Sequence, residues 1–147
     1  MKQNLLILFL LMLPLSLSAG NEQDNIRVTK LFNFNWKFQA GEQDNAQAVH
    51  YDDSRWRSLD LPHDFQIEQP WDKSAGGGRG YKAMGAGWYR KTFSADPAWK
   101  GKKVLLDFEG VMLNGEVWLN GKKMVSMDYG YLGYEADMTK LPDCVPK

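Results

Sequence analysis

His63 and Asp64 stand side by side, a residue that can move a proton next to one that can accept hydrogen bonds from hydroxyls. The other histidine, His50, lies in a different segment with no acidic partner at ligand spacing, which argues against a metal site. No nucleophile motif accompanies the pair, so a serine-type triad lacks its first member. Read by itself, Pro62-His63-Asp64 after a strand is a turn whose side chains bond the local backbone. Asp64, Glu68, Asp107, Glu109 and Glu116 supply carboxylates. A pair of carboxylates about 5 Å apart, one acid/base and one nucleophile, is what retaining glycoside hydrolysis requires. Gly76-Gly77-Gly78 suggests a phosphate-binding loop, but neither Gly-Lys-Ser/Thr nor a Gly-x-Gly-x-x-Gly frame accompanies it. Trp71 and Tyr81 flank those glycines in a stretch where no core obliges them to be aromatic, and flat rings of this kind stack on the apolar faces of pyranoses.

The elements that must carry these residues read as short strands. Phe32, Phe34, Trp36 and Phe38 alternate with Asn33, Asn35 and Lys37, the period-two pattern of a strand with one buried face. Asp52-Asp53-Ser54 is a turn or cap cluster, and Trp56 to Leu61 is extended up to Pro62. Residues 66–87 form a long loop holding six of the fourteen glycines, and loops of that length in a compact domain are functional or disordered. Trp88 to Phe93 reads as a strand, with Arg90 and Lys91 at its solvent side. Lys103 to Glu109 follows with Val104, Leu106 and Phe108 on one face. Asn120-Gly121 between Glu116–Leu119 and Lys122–Met127 is a hairpin signal, since both central residues of a type I′ turn need positive φ. Tyr131 to Ala136 is the last extended piece. Trp88, Tyr89, Phe108 and Trp118 are the expected core. With no amphipathic helical period in this region, the fold class expected is an all-β sandwich.

Composition bounds the rest. The 147 residues suffice for one domain with its own core, and 44% hydrophobic content is globular. Eighteen basic residues balance eighteen acidic ones and no basic stripe is present, which excludes a field that would recruit nucleic acid or anionic lipid. Cys144 is the single cysteine, so no intramolecular disulfide can form. Met1 to Asn4 is short and positive, Leu5 to Leu13 is apolar, and Ser16, Ser18 and Gly20 offer small residues for cleavage. Residues 1–20 are therefore expected to be a secretory signal and not a stable membrane anchor, with the mature chain secreted or periplasmic. Residues 21–30 are expected to be a flexible lead-in.

Leu61-Pro62-His63-Asp64-Phe65, then Ala75-Gly76-Gly77-Gly78-Arg79-Gly80-Tyr81, Gly87-Trp88-Tyr89-Arg90-Lys91-Thr92-Phe93 and Phe108-Glu109-Gly110-Val111, occur in one order and spacing. Together they resemble the N-terminal sugar-binding domain of glycoside hydrolase family 2, the β-galactosidase and β-glucuronidase family. The resemblance covers about residues 30–140, and Phe65 stands where the family has Trp. It implies a jelly-roll, galactose-binding-domain-like sandwich over 31–147. It further implies a carbohydrate partner of the β-galactoside type, the glycine loop reaching toward the active-site mouth, and substrate contacts from His63, Asp64, Trp71 and Tyr81. By the same resemblance this domain packs against a catalytic barrel that carries both catalytic glutamates. Glu109 and Glu116 then fall on sandwich strands, no residue here is catalytic, and no cofactor or metal is expected. The family's segment after Tyr134–Thr139 continues into further strands, whereas Leu141 to Lys147 holds Pro142 and Pro146, so the domain is expected to be truncated at its C-terminus. The alternatives are a stand-alone carbohydrate-binding module without hydrolytic activity and a non-functional remnant.

Overall fold

A computed structural model describes residues 27–139. The expected leader, most of the lead-in, Cys144 and the proline-containing end lie outside the described residues. Within the chain Leu31 begins a compact unit of its own, and the fold below is that unit.

Among the described residues seven strands follow one another: β1 (Trp36–Ala40), β2 (Arg57–Leu59), β3 (Gly87–Arg90), β4 (Leu105–Phe108), β5 (Gly115–Leu119), β6 (Lys122–Met127) and β7 (Tyr134–Asp137). All pairings are antiparallel, in a three-stranded sheet β2-β1-β3 and two pairs, β4-β7 and β5-β6. The described residues hold no α-helix, only three single turns of 3₁₀ helix. The protein is an all-β sandwich. Leu119 and Met138 are buried together, with Phe93, Val104, Leu106 and Met124 packed on them, so the β5-β6 hairpin closes over the β4-β7 pair. Met127 and Ala136 are buried nearby in the chain's second half, while Phe38 and Trp56 are buried in the first.

The Asn120-Gly121 turn forms as its residue types require, with φ of 50° and 77°. Elsewhere the structure corrects the sequence pattern. The alternation from Phe32 does not make one strand, because Asn35 takes a left-handed φ of 59° and donates its N–H to the Asp60 carboxylate at 2.8 Å. That bend leaves Phe34 53% exposed and starts β1 only at Trp36. Trp88, Tyr89, Phe108 and Trp118 are half-buried, and the fully enclosed side chains are instead those of Met127 and Met138. Methionine fills irregular space without the period or branching that marks a core strand in sequence. Arg90 is also not a solvent-side residue. Its Nε donates to Asp53 Oδ2 at 3.0 Å and its Nη1 to the carbonyls of Ala46 and Ala48.

Residues 66–87 carry structure of their own. Trp71 and Lys82 form an isolated antiparallel bridge, and the Asp72 N–H donates to Tyr81 O at 2.8 Å. Gly76 O accepts from both Arg79 and Tyr81 N–H, which folds the glycines into two tight turns between the arms of that bridge.

Candidate functional site

The register of the first sheet sets the site. Phe38 on β1 lies opposite Arg57 on β2 and opposite Tyr89 on β3, so the three side chains form a row on one face of the sheet. His63 covers that row. Its ring meets Phe38 edge-on at 4.8 Å between centroids, and Phe65 and Tyr89 pack on the same phenyl ring at 5.7 Å and 4.8 Å. Gly87 lets Phe65 come this close, because a Cβ there would sit 3.1 Å from both Phe38 and Phe65.

Both nitrogens of His63 are engaged. Nδ1 lies 2.8 Å from Tyr89 Oη, and Nε2 lies 3.2 Å from Glu68 Oε1. Arg57 Nη2 donates to Glu68 Oε2 at 2.7 Å and sits 3.0 Å from His63 Nε2. The Tyr89 phenol is pushed up to about 12, first by burial and then by the charges of Asp64 and Glu68, with Arg57 opposing. Each His63 nitrogen therefore has a polar partner: Nδ1 the Tyr89 hydroxyl, and Nε2 both the Glu68 carboxylate and the Arg57 guanidinium. The Glu68 carboxyl is held below the usual carboxylate range by its hydrogen bonds from Arg57 and His63. The side chain of His63 is 12% exposed, so it is a cross-brace within this network.

Asp64, next in the chain, is exposed, and its Oδ1 accepts from the Gln66 N–H at 2.9 Å. Trp71 is 75% exposed, with Lys82 Nζ over its ring at 4.4 Å while the same ammonium bonds Gln69 O. Tyr81 takes a left-handed φ of 57°, a conformation that costs a non-glycine residue about 1–2 kcal/mol. Trp71 and Tyr81 thus both belong to the glycine loop, but Trp71 is opposite Lys82, Tyr81 is opposite Asp72 with its ring beside Gly77, and no ring contact joins the two. His63 and Asp64 are joined in the turn before it. No hydrogen bond or ring contact links the two pairs among the described residues.

Glu116 and Glu109 sit apart from this region. Glu116, on β5, pairs with Lys123 and accepts from the Trp118 indole at 3.2 Å, and the Lys123 bond holds its carboxyl low. Glu109 is exposed just past the end of β4. The described residues contain no group of three or more His, Cys, Asp or Glu able to hold a metal ion.

The same sheet carries a feature that no sequence motif marks. On its other face, Gln39 and the segment from Gln43 to Trp56 enclose a concavity of about 330 Å³ lined by Gln39, Gln43, Tyr51, Asp52, Arg55 and Trp56. The Asp-rich turn followed by Trp was visible in sequence, but the glutamines that complete the lining belong to no motif.

The glycosyl hydrolase family 2 sugar-binding domain matches residues 30–142. The chain belongs to this family. It is 42% identical over 110 residues to a β-galactosidase of Bacteroides ovatus, a match covering 74% of this chain and 13% of that enzyme. A putative β-glucuronidase of Formosa agariphila is 39% identical over 116 residues, covering 78% of this chain and 11% of the relative. Among solved structures, a β-glycosidase from Bacteroides vulgatus superposes with a TM-score of 0.70 at 40% identity, over 75% of this chain and 15% of that one. A family 2 member from Bacteroides cellulosilyticus gives 0.72 at 33% identity, over 80% and 16%. The chain thus spans only about an eighth of the length of its family 2 relatives.

Proposed function

We propose that this family 2 domain serves a secreted glycoside hydrolase of the β-galactosidase branch, and that its glycine loop meets the sugar. Trp71 and Tyr81 carry the reading. Both are exposed on one loop, so each ring offers a surface on which a pyranose can stack. Asp64 adds an exposed carboxylate for hydroxyl groups, and His63 acts as its support, braced by Tyr89 and Glu68. Chemistry belongs to another part of the enzyme. A general acid for glycoside cleavage needs a raised pKa, and Glu116 has a lowered one because of Lys123. Met112, Leu113, Tyr129, Tyr131 and Leu132 are exposed large apolar residues on the loops around β5 and β7, a surface suited to packing in a larger protein. The leader at residues 1–20 supports export.

A chimaera tests the reading. This chain's residues 31–139 replace the matched segment of the Bacteroides ovatus β-galactosidase, and turnover of aryl β-galactoside and aryl β-glucuronide is compared. The expected result is retained galactosidase turnover, with Trp71→Ala and Tyr81→Ala raising KM about 3–10-fold at little cost in kcat. Loop variants with unchanged KM would remove the loop from the sugar site, and glucuronide preference would move the domain to the other branch.

A further inference from the structure

We infer that the concavity between Gln39 and Trp56 is a second carbohydrate site, shaped for one pyranose unit of a neutral saccharide. The ligand class rests on the carbohydrate reading above, but the site is on the opposite face of the sheet from His63 and does not involve the glycine loop.

Trp56 gives the strongest argument. Its side chain is only 7% exposed, packed against Tyr51 at 5.4 Å between ring centroids. The indole N–H has no hydrogen-bond partner among the described residues, yet no buried side-chain nitrogen or oxygen there is left unsatisfied. The N–H is therefore not wholly buried, and Trp56 lines this concavity. Burying a large aromatic while leaving its single donor open is the arrangement of a binding group.

The other lining groups match the ligand. Tyr51 Oη donates to Gln43 Oε1 at 3.3 Å and Gln43 Nε2 donates to Ala40 O at 3.5 Å, which fixes that carboxamide and leaves its second amino hydrogen for a ligand. Gln39 Nε2 donates to Ala40 O at 3.3 Å, leaving Gln39 Oε1 as an acceptor. Asp52 accepts from the Ser54 N–H at 3.0 Å, and the Arg55 guanidinium on the same lining carries the opposite charge. Carboxamides, a carboxylate, a guanidinium and an indole N–H offer donors and acceptors in mixture with no net charge. That suits adjacent hydroxyls, each of which both donates and accepts. It does not suit a phosphate, which would meet Asp52, nor an apolar ligand. The volume of about 330 Å³ is at the small end for ligand sites.

The walls are also fixed in advance. Gln39 sits in the central strand of the sheet, and Arg90 ties down the opposite wall through Asp53, Ala46 O and Ala48 O while its guanidinium covers Tyr51 at 5.2 Å. Little ordering is left for the ligand to impose.

The test is a titration of the ¹⁵N-labelled chain with methyl β-galactoside and with lactose up to about 50 mM, a range that captures millimolar sites. The expected result is saturable movement of the Trp56 indole resonance and of the Gln39 and Gln43 side-chain amides. Arg55→Ala and, separately, Gln43→Ala should weaken that response at least tenfold, while Trp71→Ala leaves it intact. Both substitutions are at the rim, and an unchanged amide spectrum elsewhere verifies folding. Shifts confined to Trp71 and Tyr81 would overturn the second site and leave the proposed function standing. A silent titration would overturn it too, with the chimaera judging the other reading independently. Equal response to glucuronate would overturn the neutral-sugar assignment.

Discussion

The two faces of the β2-β1-β3 sheet handle polar groups in opposite ways. On the Phe38 face, Arg57, His63, Glu68 and Tyr89 satisfy one another over an aromatic floor, and both His63 nitrogens are committed within the domain. On the Gln39 face, Trp56 and Tyr51 line a concavity with two carboxamides and the opposite charges of Asp52 and Arg55, and the Trp56 indole N–H has no partner among the described residues. One residue step along β1 separates the two, since Phe38 and Gln39 point to opposite sides. The histidine that attracts notice as chemistry serves the closed face, while residues with no motif furnish the open one.

The comparison is tested hardest by removing the closed face's floor. Phe38→Ala should cost about 3–5 kcal/mol in urea unfolding, since it empties a site contacted by His63, Phe65, Tyr89 and Arg57. His63→Ala should cost about 1–3 kcal/mol by leaving the half-buried Tyr89 Oη without its partner. The open face should barely register. Arg55→Ala should change unfolding stability by no more than about 0.5 kcal/mol. A loss as large as that of His63→Ala would mean both faces are structural, and the contrast would fail.

Titration sharpens the same contrast. Tyr89 is raised from 10.0 to about 12, so the stability from its protonated form is full below pH 10 and is lost as pH rises toward 12. Ultraviolet titration should show one tyrosine ionising late, and Tyr89→Phe should remove that late step. Glu68 is shifted the other way. Its contribution is present above its ordinary value of 4.5 and declines as pH falls through its lowered folded value. Glu68→Gln should therefore flatten the acid limb of stability against pH.

What was legible in the sequence was local or repeated across a family. The Asn120-Gly121 hairpin follows from two residues, and the family follows from ordered motifs that the match over 30–142 bears out. What was not legible depends on long-range partners. The alternation through Phe32 to Phe38 gives no sign that Asn35 will bond Asp60, 25 residues on, and break the strand. Arg90 next to Lys91 resembles any exposed basic pair until Asp53 is placed beside it. The Gln39 concavity joins two segments through residues that are common everywhere, so only coordinates reveal it.

The Arg90 brace also orders events in time. Its guanidinium holds carbonyls 44 and 42 residues earlier in the chain. A wall of the concavity therefore cannot settle while only the first half of the domain has been synthesised. It waits for β3 to pair with β1, a contact made late because the loop between them is long. In pulse-labelled refolding, the amides of Ala46 and Ala48 should gain protection no sooner than those of β3. The concavity would thus be completed by the same event that closes the sheet.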